Sequence, residues 1–347
     1  MTETLDDFGG WKGTLAALMS GTDLSGEHAA AVLSEILEGN ATDAQIAGFV
    51  TALGVKGQTT EELAAMVAVM HDAATPLHVP DGTIDIVGMG GSPGRRKAAV
   101  NISTMACFVS SAAGAVVCKH GNRKASSTSG SFDLLEALGV NFEISPEKLG
   151  AVVSEVGVGF AFAKAYHPAL RHAGPVRVQL GVPTVFNTLG PLANPARVKR
   201  QVVGVADADL GARMIDVLRA TGSEASWVVT GAGSLDELTT VGPSVVHRLQ
   251  DGEITTETVD PQALGLAKPA AGALDGGDAQ ANADILRRVF SGEPGAIRDM
   301  VALNAAAGLV VAGVASDLED GLTQATAAMD SGAAQAKVDA LIAASAS

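Results

Sequence analysis

At 347 residues, with 47% hydrophobic, 18% charged and only 3% aromatic residues, the chain has material for a large core built mainly from alanine, valine, leucine and glycine. A formal charge of −15 excludes nucleic acid and anionic membrane as main partners, because either calls for a basic face. The two cysteines, Cys107 and Cys118, sit in apolar surroundings without metal-ligand spacing, which argues against a disulfide framework and for a reducing, cytoplasmic compartment.

The N-terminal stretch MTETLDDFGGWKG is acidic and polar, unlike a signal peptide. To about residue 76 the chain reads as helices. LSGEHAAAVLSEILEG, DAQIAGFVTALGVKG and TEELAAMVAVMHDAA each place apolar residues at helical spacing, with Ser, Thr or Asp near their starts. The pattern changes in VPDGTIDIVG, where Ile84 to Val87 reads as a buried strand leading into a glycine loop. Ser103 or Thr104 is placed to cap a helix running to about Ala113. Ala115 to Cys118 reads as a strand ending at KHGN, and Ser131 to Leu138 as a helix. Helical sequence follows in HPALRHAGPVRVQLG, strands in QVVGVA and SWVVTGAG, and a long helical C-terminus from about Asp278. Within it ALNAAAGLVVAGVAS is too short and small-residue-rich to span a bilayer and reads as a buried helix. This alternation predicts an α/β fold with mostly parallel strands.

The acidity is uneven. No Asp or Glu occurs in the 47 residues between Asp85 and Asp133, where an even spread of the 38 acidic residues would place about five. The same window holds Arg95, Arg96, Lys97, Lys119, Arg123 and Lys124, which suits a small, highly charged anion. Four segments at strand ends or helix starts carry the chemistry, where ligands of open α/β sheets gather. In GMGGS (Gly88 to Ser92) glycines let amide groups surround an anion, although a tight turn would look the same. Asn101, Ser103 and Thr104 add hydroxyls and free helix amides at the same end. KHGNRKASSTSGS supplies cations and hydroxyls fit for a pyrophosphate cradle, or a polar surface loop. GAGSLDELTT carries adjacent Asp236 and Glu237, which suit Mg²⁺ beside a phosphate site but alone resemble a solvated surface pair. In Tyr166 to Pro195, Arg171 and Arg177 are six apart, so one of them is free to face a pocket and take a carboxylate. His120, His167 and His172 lack metal spacing and read as structural histidines.

These segments, in this order, resemble the anthranilate phosphoribosyltransferase family. Its GTGGD, N-x-S-T, KHGNR and HPA…GPVR…GxxTxFNxLGPLxNP motifs and DE pair appear here as GMGGS, NIST, KHGNRKASSTSGS, HPALRHAGPVRVQLGVPTVFNTLGPLANP and LDEL. GGDAQANA (Gly276 to Ala283) and LNAAAG (Leu303 to Gly308) extend the resemblance over nearly the whole chain. The resemblance implies the nucleoside phosphorylase/anthranilate phosphoribosyltransferase-type fold. In it a small all-helical domain spans 1–76, with helices from about 166–194 packing on it, and a large α/β domain of mostly parallel sheet spans 77–165 and 195–347. It also implies a cytoplasmic homodimer joined through the small domain. The implied activity is Mg²⁺-dependent transfer of 5-phosphoribose from phosphoribosyl pyrophosphate (PRPP) to the amine of anthranilate in tryptophan biosynthesis.

By motif position the resemblance puts Gly88, Gly90, Gly91, Asn101, Ser103, Thr104, Lys119, Ser127 and Ser131 around PRPP, with Arg95 and Arg96 as further contacts. Ser103, Asp236 and Glu237 would serve the metal. His120, Asn122 and Arg177 would bind the acceptor, and Lys119, Asn122 and Arg177 would carry catalysis. The sequence departs from the family at Met89 (for Thr), at Ser92 (for Asp) and in about three extra residues that bring in Arg95, Arg96 and Lys97. Two alternatives stay open at this point: a paralogue with another aromatic acceptor, and a non-catalytic PRPP-binding homologue.

Overall fold

Four helices open the chain, and local sequence sets where three of them begin. Ser25 accepts from the His28 amide at the start of α2 (Gly26–Glu38), and Thr42 with Gln45 forms a capping box at α3 (Asp43–Lys56). Thr59 and Glu62 do the same at α4 (Thr60–Asp72). Glu62 is fully buried and is satisfied by the Leu24 and Thr59 amides at 2.9 and 2.8 Å and by Lys56. α1 (Gly10–Met19) precedes them and packs on α3. The computed structural model describes residues 3–90, 100–124 and 128–346. Gly91, Ser92, Arg95, Arg96, Lys97 and Ser127 therefore lie outside the described residues.

Seven strands form one sheet in the order β3-β2-β1-β4-β5-β6-β7. β1 (Ile84–Gly88), β2 (Val117–Gly121), β3 (Val158–Phe162), β4 (Arg200–Gly204) and β5 (Ala225–Thr230) are parallel. They are short and apolar because helices cover both faces. β6 (Ser244–Gln250) and β7 (Glu253–Val259) add an antiparallel hairpin at the β5 edge. The mostly parallel expectation holds, and the hairpin is the addition.

One face carries α5 (Ile102–Ala112), α6 (Ser131–Leu138) and α7 (Pro146–Val156), whose core side chains include Phe108, Phe132 and Val152. After β3 the short α8 (Ala163–Tyr166) leads to α9 (Gly174–Leu180) and α10 (Val185–Leu192). Val176 of α9 and Phe186 and Leu189 of α10 share a core with Ile36, Phe49 and Met66 of the N-terminal helices. α11 (Ala208–Ala220) joins this second face, and α12 (Ala279–Phe290), α13 (Ala296–Ala312), α14 (Leu318–Asp330) and α15 (Ala333–Ala346) complete the first. Most of α13 is buried, as its small apolar sequence predicts.

Two expectations need correction. Asn101, not Ser103 or Thr104, is the N-cap of α5, and both hydroxyl residues lie in its first turn. β2 starts at Val117 and runs through Gly121, so Lys119 and His120 are strand residues rather than loop residues. Among the described residues, no helix is long and apolar enough to cross a membrane.

Candidate active site

Successive strands leave β1 toward β2 and β3, whereas β4 lies on its other side. The strand order therefore reverses between β1 and β4, and a crevice at their carboxyl ends is the expected ligand position. Gly88 ends β1 and Gly204 ends β4, paired in register. Asp236 lies directly on them. A Cβ on Gly204 would stand 1.7 Å from the Asp236 carbonyl oxygen, and one on Gly88 would stand 2.7 Å from its Oδ2. Only glycine fits at the end of β4, and a side chain at Gly88 would displace the Asp236 carboxylate. The Gly90 amide, at φ +69°, donates to Oδ2 of Asp236 at 2.7 Å, and the Met89 amide donates to the Gly204 carbonyl at 2.9 Å. The glycine loop and the carboxylate pair, which the sequence suggests separately, are thus one structure. Met89 packs its side chain against the core of the N-terminal helices.

The neighbouring α5 begins without a side-chain cap, so its first-turn amides keep no protein acceptor from Asn101. The Asn101 side chain turns elsewhere: its Oδ1 accepts from Ser129 Oγ and Asn282 Nδ2, each at 3.0 Å. Thr104 is buried and its Oγ1 has no hydrogen-bond partner among the described residues, and Ser103 is half-buried beside it. An open helix N-terminus with an orphaned hydroxyl suits an anion such as a phosphate. Ser129 and Asn282 were not singled out from sequence. Asn282 lies in GGDAQANA, so the motif marks it, but its partner is 181 residues away.

On β2, Lys119 is buried and its Nζ donates to the Ile86 carbonyl on the α5 face. On the opposite face Oδ2 of Asp85, a fully buried carboxyl, accepts from the His120 amide at 3.2 Å and from Asn194 Nδ2 at 2.9 Å. Burial pushes the Asp85 pKa up to about 6, with Lys119 opposing. Asn122 is exposed; its carbonyl accepts from Ser131 Oγ at 3.2 Å. Beyond it the loop folds back so closely that a Cβ on Gly130 would meet the Lys124 nitrogen at 2.4 Å. Arg123 turns outward to Glu136, with contacts of 2.7 and 2.9 Å, so it is spent on α6. Asp133 accepts from the Lys124 and Gly130 amides at 2.7 and 2.9 Å and closes the loop.

Arg177, on α9, is half-buried with its guanidinium carbon 5.4 Å from the centre of the Phe186 ring. Burial alone lowers its pKa, with no carboxylate opposing. Four residues along α10, the Gly190 carbonyl lies 3.0 Å from His120 Nδ1. One helix therefore holds both Arg177 and His120. Arg171 bonds only its own turn, through Pro168, and is exposed. His120 and His167 are buried with rings 5.1 Å apart. Burial, then His167, lowers the His120 pKa to about 3, and burial lowers that of His167. Both imidazoles are neutral, which suits the wall of an aromatic pocket.

Among the described residues, no three His, Cys, Asp or Glu side chains converge on a metal position. Asp236 and Glu237 supply adjacent, half-buried carboxylates. Mg²⁺ is commonly held by one or two carboxylates together with substrate phosphates. The donor set fits Mg²⁺ that arrives with a pyrophosphate.

Residues 81–335 match the family model described as Glycosyl transferase family, a/b domain, and residues 12–74 match Glycosyl transferase family, helical bundle domain. The anthranilate phosphoribosyltransferase of Nocardioides sp. (strain ATCC BAA-499 / JS614) is 48% identical over 341 residues, covering 97% of this chain and 99% of the relative. That of Rhodopseudomonas palustris (strain TIE-1) is 45% identical over 336 residues, covering 97% and 98%. The crystal structure of anthranilate phosphoribosyltransferase from Thermus thermophilus has a TM-score of 0.90 and 40% identity, covering 96% of this chain and 99% of that one. The Saccharomyces cerevisiae enzyme, solved in complex with PRPP and Mg, shares the fold at a TM-score of 0.85 and 24% identity over 97% of this chain and 98% of its own. With its glycine loop, carboxylate pair and poised arginine on this frame, the chain belongs to the anthranilate phosphoribosyltransferase family.

Proposed function

We propose that this chain transfers 5-phosphoribose from PRPP to the amine of anthranilate, giving N-(5-phosphoribosyl)anthranilate and pyrophosphate, with Mg²⁺, in tryptophan biosynthesis. The observation that carries the reading is Asp236 seated on the strand ends of the switch point and bonded to Gly90. The carboxylate pair thus sits beside the glycine-loop amides that would hold a phosphate.

PRPP would lie across Gly88, Gly90, Asn101, Ser103, Thr104, Lys119 and Ser131, with Gly91, Ser127, Arg95 and Arg96 joining on sequence pattern alone. Breaking the C1–pyrophosphate bond builds negative charge on the leaving group. Asp236 and Glu237, with Ser103, would hold Mg²⁺, which would supply charge neutralisation there. Open α5 amides add preorganised donors that need no reorganisation. The acceptor amine is a neutral nucleophile, so the protein's task is orientation more than proton removal. Arg177, half-buried and free of any carboxylate, takes the acceptor's carboxylate, and His120 and Asn122 line the ring.

The chain divides at 76/77 into a small helical lobe, joined by 166–194, and a large lobe of 77–165 and 195–347. The core that α9 and α10 share with α1–α4 supports grouping 166–194 with the small lobe, and the same core continues into β1, β4, β5 and α11. A homodimer through the small lobe accords with exposed Met19, Val55, Val178 and Val182 on and beside α1, α3 and α9. The reading is tested by pyrophosphate release from PRPP. Release that requires both anthranilate and Mg²⁺ supports it, and release independent of anthranilate sinks it.

A further inference from the structure

The turn that carries Asp236 and Glu237 is anchored on both sides, and the second anchor is a side chain from a helix far along the chain. Before the pair, Gly231 and Leu235 exchange amide-to-carbonyl hydrogen bonds of 2.7 and 3.2 Å, and Ser234 is driven to φ +58° to close that turn. After the pair, Leu238 is fully buried, and Asn304 takes both of its backbone groups. Asn304 Oδ1 accepts from the Leu238 amide at 3.1 Å, and its Nδ2 donates to the Leu238 carbonyl at 2.8 Å. The remaining Nδ2 hydrogen goes to the Met300 carbonyl one turn earlier on α13, at 2.9 Å. Both donor hydrogens of the amide are thus used, and Asn304 is itself buried.

This pairing copies one rung of a β-ladder with a side chain. It joins a loop segment to a helix that packs against β1, β4 and β5. The two carboxylates are the only residues between the anchors at Leu235 and Leu238. Their height above Gly88 and Gly204 is therefore set from both ends.

We infer that Asn304 is a positioning residue for the metal: it holds Asp236 and Glu237 where a divalent cation bound to pyrophosphate meets them. The inference rests on the proposed PRPP reaction. Any shorter or apolar side chain leaves the buried Leu238 amide and carbonyl unpaired, and the turn must shift to recover partners. Aspartate keeps the acceptor for the Leu238 amide but loses both donors, and its charge faces two carbonyl oxygens.

The test uses the full-length protein and reads metal binding apart from turnover. Mn²⁺, standing in for Mg²⁺, is titrated in the presence of PRPP and followed by water-proton relaxation, for wild type, Asn304→Ala and Asn304→Asp. The expected result is Mn²⁺ binding weakened by about tenfold in both variants, an effect typical of residues that orient metal ligands. Two further results are expected: an apparent Mg²⁺ activation constant raised in parallel, and an anthranilate KM within twofold of wild type. Saturating Mg²⁺ should restore most of the rate. A folded variant with wild-type Mn²⁺ affinity overturns the inference, as does a loss of rate that no Mg²⁺ concentration relieves. If Asn304→Ala does not fold, Asn304→Asp is read alone by the same criteria. Wild-type protein that binds Mn²⁺ with PRPP but turns nothing over contradicts the functional reading instead, and the titration still decides the role of Asn304.

Discussion

The Gly90 amide donates to Oδ2 of Asp236 at 2.7 Å, joining residues 146 apart in sequence. That bond ties the glycine loop to the carboxylate pair, and the close fit beneath it makes the first prediction. Gly204→Ala adds a methyl that would stand 1.7 Å from the Asp236 carbonyl oxygen, which no rotamer relieves. Overpacking of this kind costs about 1–3 kcal/mol. A lowered Tm by calorimetry, together with a raised Mg²⁺ activation constant, is expected. Wild-type values for both would show that the turn is free to move.

Removing charge from the carboxylate pair should strike turnover more than acceptor binding. Asp236→Asn and Glu237→Gln are each expected to lower kcat/KM for PRPP by about 10²-fold, the scale of losing one electrostatic stabiliser. The anthranilate KM should change little. Steady-state kinetics at several Mg²⁺ concentrations check this, and a selective rise in the anthranilate KM would place the pair on the wrong substrate.

Arg177 and Phe186 should behave as one acceptor clamp. Arg177→Lys keeps the charge but loses the planar fork, and Arg177→Ala loses both. The anthranilate KM should rise about tenfold or more, with the PRPP KM within twofold. Phe186→Leu removes the ring under the guanidinium, a contact worth about 0.5–2 kcal/mol, and should raise the same constant several-fold. Equal effects on both substrates would contradict the clamp.

The helical motifs and three strand-end segments were legible from local pattern. Ile84 to Val87, Ser131 to Leu138 and the helices after Ser25, Thr42 and Thr59 depend on neighbours in sequence. What was hidden depends on distance. Ser129 and Asn282 gain meaning only through Asn101, and Asn304 only through Leu238, 66 residues away. The β6–β7 hairpin has an exposed outer strand whose polar residues, Glu253, Thr255, Thr256 and Glu257, give no buried-strand signal. Arg123 looked like a phosphate ligand because Glu136 and Asp133, which claim it, lie on the next helix.

Acid should destabilise the fold through its buried histidines. Unfolded imidazoles take a proton near 6.5, whereas burial lowers His120 to about 3 and His71 to about 4, and lowers His167 as well. Between those values the unfolded state binds more protons, so stability is full above 6.5 and falls as pH drops toward 4. Asp85 opposes this: its pKa is raised from 3.8 to about 6, so its contribution is full below 3.8 and is lost as pH rises through 6. His28 is lowered by burial too, so the imidazoles outweigh the one carboxyl. Tm should fall between pH 7 and 5, and less steeply in His71→Asn. A flat profile, or one unchanged by the substitution, would contradict the neutral cluster.

The basic run of Arg95, Arg96 and Lys97, which departs from the family pattern, calls for its own measurement. Arg95→Ala with Arg96→Ala should raise the apparent PRPP KM several-fold, more at low ionic strength, and leave the anthranilate KM unchanged. An unaltered PRPP KM would mean that these cations do not reach the pyrophosphate.

The most direct test of the central claim follows anthranilate fluorescence with purified protein, PRPP and Mg²⁺, in competition with a panel of other aminobenzoates. The expected result is a decay that needs PRPP and Mg²⁺, with anthranilate consumed in preference to its isomers. Unchanged fluorescence, or preferential turnover of another aminobenzoate, would contradict it.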